Sequence, residues 1–226
     1  MNFAEELQVK LREWGATLTG YSMVSDKLPQ SLKQLGYAVT IGVRLSDFII
    51  DEIKDRPTYT YFHHYRTVNA LIDQITLRGM LLIQENGYKA LAVPASQTVN
   101  DTEDKYSGIF PHKTGAVMAG LGWVGKNGLF ISADYGPRMR LGTILTDMEF
   151  TVEAKTAEGK CGECRMCVES CPAVALTGNC WEEGCDRRHV VDARACSDYM
   201  NAKFKHIGRG SVCGICVRVC PQGKKR

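Results

Sequence analysis

The sequence predicts an α+β fold followed by a small cysteine-rich unit. Two observations indicate this. The first 150 residues alternate between apolar residues at helical spacing and short runs of β-branched residues. All ten cysteines lie after residue 160, between Cys161 and Cys220. We therefore predict an α+β domain over residues 1–150 and a second domain over residues 151–226.

The elements of the first part follow from the spacing of apolar residues. A first helix presents Leu7, Leu11 and Trp14 on one face, and Gly15 is placed to end it. The sequence also predicts a long helix over 59–86 and a shorter one over 114–121. It predicts strands over 37–43, 89–93, 129–132 and 140–146. A polar loop is expected over 95–113 and a linker over 149–160.

Composition and charge exclude several classes of function. The chain has 226 residues and a formal net charge of +3, which is too small a basic excess to indicate nucleic acid. Apolar runs such as 80–83 are far shorter than the roughly 20 residues that cross a bilayer, so no membrane partner is expected. The first residues lack a basic segment leading into an apolar core, so we expect a cytoplasmic protein without a secretory signal.

The first cysteine motif is typical of proteins that hold two 4Fe-4S clusters. It reads C-x2-C-x2-C-x3-C-P and consists of Cys161, Cys164, Cys167, Cys171 and Pro172. Its tight loop places three thiolates around one cluster, and in two-cluster proteins the fourth cysteine ligates the other cluster. The motif predicts a bacterial-ferredoxin-like double-cluster domain that transfers single electrons.

A second motif supplies the remaining ligands. It reads C-x2-C-x3-C-P over Cys213, Cys216, Cys220 and Pro221, and it is one cysteine short. Cys196, in an inserted segment, is the natural supplier of that ligand. We assign the eight ligands to two sets: one of Cys161, Cys164, Cys167 and Cys220, and one of Cys171, Cys196, Cys213 and Cys216.

A pair of zinc sites is the alternative, because C-x2-C pairs also bind zinc. Zinc sites do not require three cysteines at this spacing followed by Cys-Pro, so the iron-sulfur interpretation is favoured. Cys180 and Cys185 are left without a ligand role. They are either inert thiols or residues with a redox or ligand-exchange role.

A glycine-rich segment from Gly120 through Gly122 to Gly125 matches the dinucleotide-binding fingerprint G-x-G-x-x-G. That fingerprint requires a strand before the glycines and a helix after them, so that the helix N-terminus meets the pyrophosphate. Here a helix-like run precedes the glycines and an apolar strand follows at 129–131. The order excludes a dinucleotide site and gives no indication of nicotinamide.

The same segment carries a more specific resemblance. Residues 119–129 read AGLGWVGKNGL and are followed by Gly136-Pro137, by LGTILTD at 141–147, and by the double-cluster motif with its Asp-Ala-Arg-x-Cys insert. This combination resembles the epoxyqueuosine reductase family, which is related to the corrinoid-dependent reductive dehalogenases. The match is strongest over about residues 115–221.

The resemblance implies a corrinoid-reductase-like, nitroreductase-like N-terminal domain and a base-off cobalamin that the two clusters supply with electrons. It implies cofactor contacts at Trp123, Gly125, Lys126 and Asn127, and the alternative is a purely structural tight turn. It also implies a low-potential electron donor of the ferredoxin or flavodoxin type and a substrate that is a small molecule or a corrinoid.

Two departures from the family limit what the resemblance implies. The position of the family's catalytic aspartate falls at Tyr106, so Tyr106, Asp104 and His112 are candidate proton donors or, alternatively, solvated loop residues. The chain ends six residues after Cys220, before the helical-repeat region that helps the family bind tRNA, so a tRNA substrate is not expected. The competing hypotheses are a corrinoid-dependent reductase and a non-catalytic electron carrier or corrinoid-activating protein.

Overall fold

The structure, a computed structural model, describes residues 2–97, 99, 106–152, 159–209 and 212–223. Its backbone contacts divide the chain into two compact units. Unit 1 comprises Met1–Arg44, Val68–Leu121 and Arg140–Ala157, and unit 2 comprises Leu45–Thr67, Gly122–Met139 and Glu158–Arg226. Each unit combines segments that are separated in sequence. The division into two contiguous domains, residues 1–150 and 151–226, therefore stays a prediction.

Helices and strands alternate through the first part of the chain, and short helices dominate the cysteine-rich part. The strands are β1 (Leu18–Met23), β2 (Tyr37–Arg44), β3 (Ala90–Val93), β4 (Gly122–Val124), β5 (Phe130–Ser132) and β6 (Met139–Thr146). The α-helices are α1 (Phe3–Glu13), α2 (Asp47–Asp51), α3 (Tyr59–Glu85), α4 (His112–Met118), α5 (Met166–Glu169), α6 (Ala193–Gly208) and α7 (Ile215–Val219). Turns of 3₁₀-helix lie at Ser25–Lys27, Gln30–Leu32 and Arg187–His189.

Unit 1 is built on a four-stranded sheet with the order β1-β2-β6-β3. Strand β1 pairs antiparallel with β2, and β3 pairs antiparallel with β6. Both β2 and β6 are almost entirely buried, because they lie in the middle of the sheet and carry apolar side chains on both faces. One cluster of the core fills the space beside this sheet and consists of Val24, Leu28, Leu35, Ala38, Val93, Phe110 and Leu145.

Helix α1 begins and ends where its sequence indicates. Asn2 and Glu5 form a reciprocal capping box, in which each side chain accepts a hydrogen bond from the backbone N–H of the other. The predicted face is buried at Leu7 and Leu11. Gly15 follows the helix with φ of +113°, a backbone conformation that favours glycine.

The residues of α3 that belong to unit 1 pack closely against the sheet. A Cβ atom at Gly142 of β6 would lie 2.4 Å from Cγ2 of Ile72 in α3. A Cβ atom at Gly79 of α3 would lie 2.6 Å from Cδ1 of Ile144 in β6. The two glycines therefore permit a close approach of the helix to the strand that larger residues would prevent. None of the helices within the described ranges is long and apolar enough to cross a membrane.

In unit 2, β4 and β5 form a short antiparallel hairpin that pairs Gly122 with Ser132 and Trp123 with Ile131. The glycine-rich segment therefore leads from β4 through a tight turn into a second strand. A helix does not follow Gly125, so the strand-to-helix geometry of a dinucleotide site is not formed here. The order of elements predicted from the sequence, a helix before the glycines and a strand after them, agrees with α4 and β5 of the structure.

Segment 45–67 completes unit 2. A Cβ atom at Gly214, which precedes α7, would lie 2.7 Å from side-chain atoms of Ile53 and Tyr61. The buried Arg138 donates hydrogen bonds to the carboxylates of Asp47 and Asp51 at 2.9 and 2.7 Å. These ion pairs neutralise a guanidinium whose side chain is only 3% exposed. They tie α2 to the segment that follows β5.

Candidate metal centre

The first cysteine motif folds into a tight turn and one turn of helix. The N–H of Cys164 donates to the carbonyl of Cys161 at 3.0 Å, and Gly162 between them has φ of +47°. Cys167 lies within α5, and the N–H of Cys171 donates to the carbonyl of Val168 at 3.2 Å, just after that helix. The turn thus places three cysteines on one short loop. The fourth cysteine, Cys171, lies one helical turn further along the chain.

The remaining cysteines lie on α6 and α7. Cys196 lies in the first turn of α6, where the Asp192 side chain caps the helix by accepting from the N–H of Ala195 at 2.9 Å. Cys216 lies within α7, and Cys213 and Cys220 flank that helix. The inserted segment therefore delivers its cysteine from the start of a regular helix.

The predicted first set of cysteines comes together. Burial raises the pKa of the Cys220 thiol to about 11, and the neighbouring Cys161, Cys167 and Cys164 raise it further by repulsion between thiolates. Burial also raises the pKa of Cys167, with added repulsion from Cys161 and Cys164. Cys220 thus lies with the first three cysteines of the other motif, although more than fifty residues separate them in sequence.

The predicted second set also comes together. Burial raises the pKa of Cys196 to about 11, with further contributions from Cys213, Cys171 and Asp192. Burial raises the pKa of Cys216 strongly, and repulsion from Cys213, Cys196, Cys171 and finally Cys167 adds to it. Cys171 therefore lies with the second motif and not with its own. Helices α5 and α7, which carry Cys167 and Cys216, contact each other, so the two sets are neighbours.

This arrangement fits iron-sulfur clusters. Closely spaced, buried thiols cannot all ionise unless positive charge is added among them, and iron supplies that charge while ligating the sulfurs. Cys161, Cys164, Cys167 and Cys220 line one common cavity. In the part of the chain that the structure describes, no three His, Cys, Asp or Glu side chains have a geometry suited to one metal ion. A 4Fe-4S cluster holds its four thiolates further apart than a single zinc ion does, so thiols can be neighbours without forming a site for one ion.

The turn between β4 and β5 contributes two polar residues to the same cavity. Lys126 and Asn127 both line it, with exposed fractions of 8% and 4%. Nζ of Lys126 donates to the carbonyl of Gly162 at 2.6 Å. Oδ1 of Asn127 accepts from the N–H of Leu129 at 3.1 Å, while its buried Nδ2 has no hydrogen-bond partner in the parts of the chain that the structure describes.

The other two residues of this segment predicted to contact a cofactor lie beside the cavity residues. Trp123 is 3% exposed, and its buried Nε1 has no hydrogen-bond partner within the described ranges. The ammonium of Lys160 lies 5.8 Å from the centre of its ring. Gly125 closes the turn, because its N–H donates to the carbonyl of Leu129 and a Cβ atom there would lie 2.3 Å from Cδ1 of Ile131. A corrinoid contact at any of the four residues stays a prediction.

The candidate proton donors have different surroundings. Asp104 lies outside the described residues. Tyr106 lies within the predicted polar loop and is 36% exposed. His112 begins α4 in unit 1, where Nε2 bonds the carbonyl of Pro94 at 3.0 Å and Nδ1 bonds the hydroxyl of Thr143 at 2.9 Å. Because a carbonyl only accepts, Nε2 carries the proton. A proton-donor role for any of the three stays a prediction.

We expect the stability of the protein to depend on pH through His112. Burial lowers the pKa of His112 to about 4, and the nearby Arg140 also lowers it, against an opposing hydrogen bond to Pro94. The unfolded chain takes up the proton near pH 6.5, so the contribution of His112 is complete above that pH and is lost as pH falls towards 4. Between pH 7 and 5.5 the wild type should lose about 1 kcal/mol more unfolding free energy than His112→Gln. Equal losses in urea titrations would contradict this expectation.

Sequence reasoning did not find the contact that anchors the segment after Cys220. A Cβ atom at Gly136 would lie 1.9 Å from the carbonyl oxygen of Gln222, and one at Gly223 would lie 2.1 Å from the backbone nitrogen of Gly136. Both glycines have positive φ, +57° and +73°. The Gly136-Pro137 pair was the available signal, but its partner could not be identified from sequence.

Comparison with known proteins agrees with this geometry. Residues 160–223 match the family described as the 4Fe-4S double cluster binding domain. Epoxyqueuosine reductase from Synechocystis sp. is 34% identical over 144 residues, which is 61% of this chain and 49% of that protein. The chain is a relative of epoxyqueuosine reductase. The resemblance and the double-cluster domain predicted from the sequence are thereby confirmed.

Solved structures show the same fold. A reductive dehalogenase whose structure suggests a mechanism for B12-dependent dehalogenation matches with a TM-score of 0.76 and 18% identity, covering 98% of this chain and 32% of that one. An epoxyqueuosine reductase in complex with an epoxyqueuosine-modified tRNA stem loop matches with a TM-score of 0.62 and 16% identity, covering 98% and 65%. The predicted α+β class is confirmed.

The likeness to epoxyqueuosine reductases is partial in length. The chain spans between 29% and 49% of the epoxyqueuosine reductases from Synechocystis, Lactococcus garvieae and Vibrio cholerae. An epoxyqueuosine reductase of the same fold has been seen with a tRNA stem loop. The expectation against tRNA, drawn from the length of the chain after Cys220, is therefore not supported.

Proposed function

We propose that this protein is an iron-sulfur oxidoreductase that passes electrons from a low-potential donor through two 4Fe-4S clusters to a bound corrinoid, which reduces a small substrate. The observation that carries the proposal is the convergence of cysteines from both motifs: Cys220 lines one cavity with Cys161, Cys164 and Cys167, and helices α5 and α7, which carry Cys167 and Cys216, contact each other. Neighbouring clusters allow an electron to pass from one to the other. Such a pair suits a protein that delivers single electrons one after another.

In this proposal the crossed cysteines are the cluster ligands. Cys171 leaves its own motif to join the second set, and Cys220 leaves the second motif to join the first. Because the two motifs exchange ligands, the clusters would link α5 and α7. These two helices also contact each other directly. The ligands therefore hold the two clusters at a fixed distance, and electron transfer between them requires no movement of the chain.

A corrinoid is proposed as the electron acceptor because of the relatives and the chemistry of one segment. A corrinoid, when bound, supplies a metal centre that can be reduced to a strong nucleophile or reductant. Its rim carries amide groups, whose oxygens accept hydrogen bonds. Nε1 of Trp123 is a donor without a partner among the described residues, so it fits such a cofactor in chemistry. Gly125, Lys126 and Asn127 are the other proposed contacts.

A proton has to reach the substrate when electrons do. Tyr106, Asp104 and His112 are the proposed sources. Tyr106 is 36% exposed. His112 is neutral at physiological pH, because burial holds its pKa at about 4, so it would donate from the neutral imidazole or position another donor. Tyr106 is therefore the first residue to test.

The alternative is a ferredoxin-type electron carrier or corrinoid-activating protein. The observation that favours it is Tyr106, which stands where the related reductases have a catalytic aspartate. A carrier would need the clusters and a docking surface, but neither a corrinoid of its own nor a proton donor.

Anaerobic reconstitution followed by cobalamin titration separates the two functions. We expect the protein with full iron and sulfide content to bind about one cobalamin per chain, and a low-potential reductant to change the visible spectrum of the bound cobalamin. Cluster-loaded protein that binds no cobalamin would overturn the reductase and leave the carrier. Adding an epoxyqueuosine-modified tRNA stem loop to the reduced protein tests tRNA as the substrate. Turnover of the stem loop would replace the small substrate with tRNA.

A further inference from the structure

The turn formed by Lys126 and Asn127 lies against the cavity of the first cysteine set. Both side chains are buried, and the cavity they line also contains Cys161, Cys164, Cys167 and Cys220. The carbonyl that Lys126 binds belongs to Gly162, on the loop between Cys161 and Cys164. The two residues therefore sit within unit 2 at one of the two sets of thiols and not at the other.

The hydrogen bonds of the turn do not use the side-chain N–H donor of Asn127. The turn is completed by the hydrogen bond from Leu129 N–H to Oδ1 and by the bond from Gly128 N–H to the carbonyl of Gly125. Neither bond uses Nδ2. A buried amide N–H without a partner costs free energy, so Nδ2 is expected to have an acceptor in the loaded protein. Cluster and thiolate sulfurs are the acceptors that this cavity would contain.

The charge of Lys126 points to the same ligand. A buried ammonium needs nearby negative charge, and the carbonyl of Gly162 supplies only a dipole. A cluster held by four thiolates is anionic and becomes more anionic by one unit when it takes up an electron. A nearby cation and an N–H donor both stabilise the reduced form more than the oxidised form.

We propose that Lys126 and Asn127 are charge and hydrogen-bond partners of the cluster held by Cys161, Cys164, Cys167 and Cys220, and that they raise its reduction potential relative to the neighbouring cluster. The reduction takes one electron from the low-potential donor, and no bond is made or broken. This inference rests on the ligand assignment in the proposed function, and it gives the Lys-Asn pair a role that does not require a corrinoid.

Two substitutions test the inference with little change in shape. Asn127→Asp retains the oxygen that accepts from Leu129 N–H and replaces the N–H donor with a second oxygen. Lys126→Met retains the length of the side chain and removes the charge. Matched controls are Asn201→Asp and Lys203→Met, which make the same chemical changes at exposed positions of α6.

The measurement is a redox titration in which electron paramagnetic resonance follows each cluster separately. At a fixed potential, each test variant should lower the ratio of reduced to oxidised first cluster about tenfold, which is 59 mV for one electron. The second cluster and both controls should change far less. Lys126→Arg should restore the potential, because it returns the charge. Asn127→Asp should also lose an exchangeable-proton coupling of the first cluster.

The possible failures are distinguishable. Wild-type protein that holds far fewer than eight irons would remove the proposed function and this inference together. Full iron content with unchanged potentials in both test variants would overturn the inference and leave the proposed function standing. An unchanged potential combined with weaker cobalamin binding by Lys126→Met would overturn it as well, and would return Lys126 to the role of corrinoid contact.

Discussion

Replacing Cys161 and Cys171 together with alanine should remove both clusters, whereas replacing Cys171 and Cys213 together should remove only one. The reason is the crossing of ligands: Cys161 and Cys171 belong to the same motif but to different sets, and Cys171 and Cys213 belong to different motifs but to the same set. Two clusters contain eight irons and eight sulfides. We expect nearly none in the first variant and about four of each in the second.

Iron and acid-labile sulfide per chain, measured after anaerobic reconstitution, decide this prediction. If each motif built its own cluster, the two results would be exchanged, and the assignment would be wrong. The matched control is Cys180→Ala with Cys185→Ala, which removes two cysteines outside both sets. It should retain eight irons, and a loss of four there would show that one of these cysteines is a ligand.

Gly136→Ala should be among the most destabilising single substitutions in unit 2. The new methyl group would lie 1.9 Å from the backbone oxygen of Gln222, and a backbone atom cannot turn aside as a side chain can. Positive φ at this position adds about 1–2 kcal/mol for a residue with a Cβ atom. The sum should exceed about 4 kcal/mol of unfolding free energy. Displacement of the Gln222 segment should also weaken iron retention at Cys220, two residues before it.

Gly184→Ala is the control that separates the effect of the close contact with Gln222 from the effect of the positive φ. Gly184 has φ of +83°, but a Cβ atom there would meet nothing within 4 Å. This control should therefore lower the free energy of unfolding by only about 1–2 kcal/mol, which is the cost of the left-handed conformation. Urea unfolding and iron content after dialysis measure both effects. Equal destabilisation by the two substitutions would show that the contact with Gln222 does not matter.

The sequence predicted the elements whose patterns are long or strongly apolar. Helices α1 and α3 and strands β2 and β6 agree with the structure to within a few residues, because apolar residues recur at helical spacing in the helices and the two strands are almost continuously buried. It did not predict β1, where Gly20 and polar residues interrupt the pattern. Gly20 is required because a Cβ atom there would lie 2.8 Å from Cβ of Ala119. Tertiary packing thus determines this strand more than local preference does.

Helix α6 was also not predicted, although its start carried a signal. Asp192 caps the helix, and Phe204 and Ile207 bury its far end. The cysteine spacing indicated Cys196 as a ligand but gave no information about the helix that positions it. The pairing of cysteines could be predicted, because the spacing of ligands is a local constraint of cluster chemistry.

The surroundings of the first cysteine set could not be predicted from the sequence. Lys126 and Asn127 reach it only because the β4–β5 hairpin packs beside the loop that contains Gly162, more than thirty residues later in the chain. Segment 45–67 belongs to the same unit, although the pattern of the sequence placed it with the first domain. Such long-range packing leaves no local period or spacing to detect.

The composition of unit 2 from three distant segments has a consequence for how the protein matures. During synthesis, residues 45–67 and 122–139 leave the ribosome long before Cys213, Cys216 and Cys220. The first set is complete only with Cys220 and the second only with Cys216, so neither cluster can be finished until translation has passed residue 216, and the first not until it has passed residue 220. The early segments of unit 2 are therefore synthesised before the ligands of either cluster are complete.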